Sequence, residues 1–147
     1  MAADFLALLD HYAQDPMGGG SGLSAYARAH LVERLRSRPG FVALMAYRGD
    51  RPAGLINCME GFSTFAARPL LNVHDLVVHG DFRGQGIGLL LLQGAEALAR
   101  ERDCCKLTLE VLEGNHGAMS VYRRAGFLPY ELDPRMGRAL FLEKKLG

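Results

Sequence analysis

Apolar residues recur along this chain in two rhythms, one close to 3.6 and one close to 2, and the switches between them predict its elements. Ala3–Gln14 carries Phe5, Leu6, Leu8, Leu9 and Tyr12 at helical spacing, and Asp15-Pro16 followed by Gly18-Gly19-Gly20 stops it. Ser24 is placed to cap a second helix reaching about Ser37, with Tyr26, Ala27, His30, Leu31, Val32 and Leu35 at helical spacing. Phe41–Tyr47 and Ala53–Glu60 read as strands of a hairpin turning through Arg48–Pro52, where Gly49 and Asp50 sit. Gly61–Leu71 is less regular and reads as a loop or a bent strand end. Val73–Val78 reads as a buried strand, followed by a glycine-rich crossing and a long helix with Ile87, Leu90, Leu91, Ala95 and Leu98 on one face. Lys106–Val111 alternates as a strand. A helix between two such strands is a crossover, which makes that pair parallel. A further helix follows Asn115 to about Arg124, with Gly126 as its C-terminal glycine. Phe127–Leu132 and Arg138–Lys144 predict two last strands joined through Asp133–Gly137. There is no repeat and no linker, so the 147 residues predict one mixed-sheet α/β domain.

Three glycines, Gly84, Gly86 and Gly88, stand within five positions where a helix should start. Each would cost about 1 kcal/mol relative to alanine inside a helix. A tight strand-to-helix turn is one reason for a glycine there, and one glycine would serve it. Three fit better with a ligand lying against bare backbone, because successive N–H groups at a helix N-terminus suit phosphate oxygens. A P-loop would need Lys and Ser or Thr after its second glycine, whereas Gly88 is followed by Leu89 and Leu90. A dinucleotide fingerprint would need a third glycine at Leu89 or Leu91. Both fail. What remains is Arg83-x-x-Gly86-x-Gly88 between a strand and a helix.

That arrangement resembles the signature of the GNAT N-acetyltransferase superfamily. The stretch Asn115–Phe127 supplies a second resemblance, the pattern Asn-x-x-Ala-x-x-x-Tyr with a later Gly-Phe, in Asn115, Ala118, Tyr122, Gly126 and Phe127. The two motifs come in the expected order, and the likeness spans about Phe41 to Lys145. It implies the acyl-CoA N-acyltransferase fold, a mostly antiparallel mixed sheet flanked by helices. Members usually open with a strand before the first helix. This chain begins almost directly with a helix, so that strand is missing or truncated, or the true start lies upstream.

The resemblance further implies acetyl-CoA as co-substrate and a primary amine of a small molecule, peptide or protein as acceptor. Its pyrophosphate would lie on Arg83, Gly84, Gln85, Gly86, Ile87, Gly88 and Leu89, and its pantetheine along the backbone of Leu76, Val77 and Val78 like an added strand. Asn115 would bond the pantetheine arm, with Ala118 beside it. Tyr122 would be the general acid for the leaving thiolate; its other reading is an aromatic packed beside Phe127. Arg83 would face a phosphate or simply be a solvated turn residue.

An alkyl amine of pKa about 10.4 is neutral only once in roughly a few thousand molecules at pH 7, which adds roughly 4–5 kcal/mol to the barrier. A base or a desolvating pocket must offset that. His74 and Asp75 lie on the strand before the glycines, and alternation would point only one of them at the acceptor. His74 matches the position of a proposed base in diamine-type relatives, and it reads equally well as a histidine bonded within the fold. Glu60, Glu110 and water are further candidates. Phe62 and Phe65 would wall the acceptor pocket or pack on the sheet. His11, His30, His79 and His116 lack metal-ligand spacing and read as structural or exposed, so no metal is expected.

Composition narrows the rest. With 49% hydrophobic residues, 22% charged residues and a net charge of +1, nothing points to nucleic acid. No apolar run predicts a membrane span, and no secretory signal is visible. Cys58, Cys104 and Cys105 are an odd number, read as reduced thiols of a cytoplasmic protein. Two functions stay open, an amine N-acetyltransferase, for which a homodimer has many family precedents, and a non-catalytic acyl-CoA sensor of the same fold.

Overall fold

A computed structural model describes residues 1–147. In chain order the elements are α1 (Ala2–Gln14), α2 (Ala25–Arg36), β1 (Phe41–Arg48), β2 (Arg51–Ser63), β3 (Arg68–Val78), α3 (Ile87–Glu101), β4 (Leu107–Leu109) and α4 (His116–Arg124). The sheet runs β1-β2-β3-β4, with β1, β2 and β3 antiparallel and β4 parallel to β3. No strand precedes α1, and β1 forms one sheet edge.

Local chemistry starts and stops these elements as the sequence predicts. The Ser24 hydroxyl accepts from the Ala27 N–H at 3.1 Å, satisfying a first-turn amide of α2. Asn115 does the same for α4 through the Ala118 N–H at 3.2 Å.

The sheet buries both faces. On one, Ile56, Cys58, Leu71 and Val73 meet Ile87, Leu91, Leu92, Ala95 and Ala99 of α3. On the other, Leu55 and Val77 meet Phe5, Leu8 and Leu9 of α1. Gly54 lets α3 sit this close, since a Cβ there would lie 2.9 Å from Ile87 and 3.0 Å from Leu91. Cys58 is the buried thiol, and burial pushes it up to about 11, so it is an inert core group. Leu55 is fully buried, and Leu55→Ala is expected to lower stability by about 2–5 kcal/mol in urea unfolding.

Two expectations are corrected. Gly61–Leu71 is no loop: β2 runs through Ser63, a turn occupies 64–67, and β3 starts at Arg68. Phe62 and Phe65 stand exposed near the tip of this hairpin. The predicted strands Phe127–Leu132 and Arg138–Lys144 are not strands. A strand needs a paired neighbour, and β4 is only three residues long, while Pro129 has no N–H to offer.

Candidate active site

The crossing from β3 to α3 begins with a short 3-10 turn, Gly80–Phe82, and then leaves the backbone bare. Gly84 and Gly86 have φ of +77° and +81°, the left-handed region where a side chain is strained, and a Cβ on either would meet nothing within 4 Å. Leu90 is the first amide of α3 to find an acceptor, the carbonyl of Gly86 at 3.0 Å. The N–H groups of Arg83, Gly84, Gln85, Gly86, Ile87, Gly88 and Leu89 donate to no group of the protein. They lie at the positive end of a 15-residue helix.

All of these residues except Gln85 line a cleft of about 610 Å³. Leu76, Val77 and Val78 form one wall. β3 pairs with β4 only through Leu71, Asn72 and Val73, so from His74 onward its outer edge meets no strand. Asn115, Gly117, Ala118, Val121 and Tyr122 of α4 form the opposite wall. The Asn115 side-chain oxygen accepts the helix-cap bond, and its NH₂ has no protein partner and is free to donate to a ligand. Arg83 and Arg124 flank the free amides. The Arg83 guanidinium stands 3.6 Å from the Asp15 carboxylate and ties the loop to the end of α1. The Gln85 side chain points elsewhere and accepts from Arg48 at the end of β1.

β3 does not alternate through His74 and Asp75. Asn57 of β2 pairs with Asp75 and Cys58 with Val73, which makes His74 the extra residue of a β-bulge. Val73 and Leu76 both pack with the α3 core and Val77 with the α1 core. The two residues between Val73 and Leu76 therefore both fall on the α1 side. The alternation on which the sequence reading of this pair rests is therefore broken by the bulge.

Their surroundings differ. His74 is exposed, its Nδ1 donates to the Asn72 side-chain oxygen at 2.6 Å, and it lines no part of the cleft. Asn72 in turn donates to Thr108 Oγ1 at 2.9 Å, so the imidazole is tethered toward β4. Asp75 is half-buried and accepts from Asn57 Nδ2 at 3.1 Å. Its charge is felt by two phenols. Burial raises the Tyr12 hydroxyl above its ordinary value, with further contributions from Asp75 and Asp15. Burial, then Tyr12 and Asp75, push Tyr122 up to about 12. Both phenols line the cleft; Asp75 does not line it and acts on them through its charge. Tyr122 also packs edge-on against Phe127 with ring centroids 5.9 Å apart.

The other candidate bases lie elsewhere. Glu60 faces Arg102 at 3.8 Å, and neither Glu60 nor Glu110 lines the cleft. Phe62 and Phe65 do not line it either. His11, expected to be structural or exposed, does line it and stacks on His79 at 4.4 Å between centroids. No three His, Cys, Asp or Glu side chains gather as a metal-holding group.

Sequence reasoning passed over Tyr12, Asp15 and Asn57. Tyr12 falls on the apolar face of a helix and reads there as core. The signal for Asn57 was a lone amide inside the apolar run Ala53–Met59. Together the residues make a cleft with two poles. One offers amides and the guanidiniums of Arg83 and Arg124 to an anion; the other offers the phenols of Tyr12 and Tyr122, under the charge of Asp75.

Comparisons with known proteins bear on the family and on the fold. The model of the acetyltransferase (GNAT) family matches residues 6–127. An uncharacterized N-acetyltransferase of Methanocaldococcus jannaschii is 35% identical over 78 residues, 52% of this chain and 34% of that protein. The streptothricin acetyltransferase of Streptomyces lavendulae is 43% identical over 63 residues, 43% of this chain and 33% of that protein. The chain thus spans about a third of the length of these curated relatives. A transcriptional regulator from Bacillus halodurans superimposes with a TM-score of 0.83 at 18% identity, covering 98% of this chain and 95% of that one. An aminoglycoside acetyltransferase from an uncultured soil metagenomic sample, solved with sisomicin, gives 0.81 at 16% identity, covering 99% and 90%. At such identities the likeness is one of fold. No helix is long and apolar enough to cross a membrane.

Proposed function

The chain belongs to the GNAT family of acetyltransferases, and on that premise we propose that it transfers the acetyl group of acetyl-CoA to a primary amine of a small molecule or protein in a ternary complex. One observation carries the reading: seven free backbone amides and an unpaired strand edge share a cleft with two half-buried phenols that feel the charge of Asp75. A sensor of the cofactor would need the amides and the edge. It would have no use for the polar end.

In this mechanism the amides of Arg83–Leu89, with Arg83 and Arg124, take the pyrophosphate. The open edge of Leu76–Val78 takes the pantetheine as an added strand, and the Asn115 NH₂ donates to its arm. Asp75 attracts the acceptor ammonium. A neighbouring carboxylate by itself stabilises the charged amine, so its value as a base comes later. The bound ammonium first sheds one proton to water, which frees its lone pair; once the C–N bond begins to form, the nitrogen becomes acidic again and its second surplus proton passes toward Asp75, directly or through water.

Tyr122 then faces the departing sulfur. A phenol near 12 facing a thiol near 8.5 makes complete proton transfer uphill by about 3.5 pH units, about 5 kcal/mol. Donating a hydrogen bond to the thiolate avoids that cost, and the phenol keeps its proton at every pH below about 12. Tyr122→Phe is expected to lower kcat about 10- to 100-fold with acetyl-CoA affinity retained, and with no new alkaline limb below pH 10.

The direct test is acetyl-CoA turnover against a panel of amines that includes streptothricin, thialysine, aminoglycosides and N-terminal peptides. Thiol release with any of them supports transfer. Tight acetyl-CoA binding with no turnover on the whole panel would favour the sensor.

A further inference from the structure

Asn57 is the buried polar residue of the protein, 4% exposed in the middle of β2. Its Nδ2 donates to Asp75 at 3.1 Å, and its Oδ1 is buried with no hydrogen-bond partner. It lies at the register shift that accommodates the β3 bulge, directly paired with Asp75. Its neighbours Leu55, Ile56 and Cys58 are fully buried and apolar, so a leucine would suit the site by packing alone. Leaving an acceptor buried and unpaired opposes folding, and such a group calls for a reason.

Resting on the amine-acetylation reading, the geometry points to Asn57 as a positioning residue for Asp75 that serves it in both protonation states. While Asp75 is ionised, the Asn57 NH₂ donates to it and holds the carboxylate beside the phenols of Tyr12 and Tyr122. When Asp75 has taken the acceptor's proton, its new O–H needs an acceptor. A half-turn of the same amide presents Oδ1 to it. An amide is suited to this because it carries a donor and an acceptor on one planar group. In either state one of its polar atoms is left over, which accounts for the orphan.

The step balances without a further reactant. The amine enters the step as its free base, one proton having left the ammonium for water; its nitrogen bonds to the acetyl carbon, the carbon–sulfur bond breaks with its electron pair leaving on sulfur, and one further proton moves from nitrogen to an Asp75 oxygen. That proton afterwards returns to solvent. The charged and titratable groups facing Asp75 are Tyr12 from α1 and Tyr122 from α4, with His74 beside it on β3 and Asp15 acting on Tyr12.

The test uses the full chain and follows the Asp75 carboxyl carbon by NMR at neutral pH, alongside kinetics. Asn57→Leu removes both the donor to the charged form and the acceptor for the protonated one, so that resonance is expected to move and broaden as the carboxyl group loses its anchor. kcat should fall about 10-fold with KM for acetyl-CoA unchanged. In an Asp75→Asn background the same substitution should cost nothing further, because both act through one group. Urea unfolding should show Asn57→Leu at least as stable as the parent, whereas a merely structural asparagine would be missed there. If the leucine variant does not fold, Asn57→Asp keeps the shape, lacks the N–H donor, adds a like charge, and should also displace the resonance and lower kcat. An unmoved resonance, or an equal loss of kcat with and without Asp75, overturns the role. A moved resonance in a protein that acetylates no amine would leave the positioning role standing and overturn the function it rests on.

Discussion

Asp75→Asn is expected to lower kcat/KM for the acceptor amine by about 100- to 10,000-fold, the range over which a positioned acid or base contributes. The substitution keeps the shape of the side chain and its bond to Asn57, and it removes both the charge and the proton acceptor. Two effects should separate in steady-state kinetics. KM for the amine should rise, because the ammonium loses its counter-ion. kcat should fall, because the proton released as the C–N bond forms has lost its destination. KM for acetyl-CoA should stay put, since the free amides and the β3 edge are untouched. His74→Gln is the necessary companion. His74 is exposed, tethered to Asn72 and outside the cleft lining, so its loss should change kcat/KM by less than about 10-fold. A reversal of the two results would move the base to His74.

The second large effect concerns the cofactor end. Gly86→Val forces a β-branched residue into φ +81°, a conformation that costs an ordinary residue roughly 1–2 kcal/mol and a branched one more. The helix start should relax away from that angle and carry the amides of Gly86, Ile87 and Gly88 with it. Each charge-assisted bond to a phosphate is worth about 1.5–3 kcal/mol, so misplacing two lowers acetyl-CoA affinity by about 100-fold or more. Titration calorimetry measures this directly, with circular dichroism to show that α3 persists. Gly88→Ala is the informative contrast. Gly88 does not have a positive φ, and a methyl there would meet Val121 at 3.6 Å, an ordinary contact. Its effect on affinity should be much smaller. Undiminished binding by the Gly86 variant would reduce the loop to a turn.

Much of this chain was legible before any coordinates, and the reason is locality. The helix from Ile87, the Ser24 cap, the helix after Asn115, the hairpin at Gly49 and the glycines of the loop depend on residues a few positions apart. Periodicity, capping and backbone freedom act at that range, so sequence alone determined the order of the elements and the position of the phosphate-type loop. The two motifs, Arg83–Gly88 and Asn115–Phe127, likewise named the family through residues close together in the chain.

What failed or stayed hidden depends on pairing across distance. The last two predicted strands have fitting patterns and no partner, because β4 presents only Leu107–Leu109. The facing of His74 and Asp75 was set by one register slip against Asn57 and Cys58, which alternation within a single strand cannot reveal. Tyr12 is 63 residues from Asp75 and 110 from Tyr122 in sequence, and only the packing of α1 across β3 brings the three together. The sequence by itself determined the elements, the glycine loop and the family. Tertiary structure alone decided which polar side chains share the far end of the cleft, because burial and electrostatic coupling arise between surfaces that meet only once the sheet and its helices have closed.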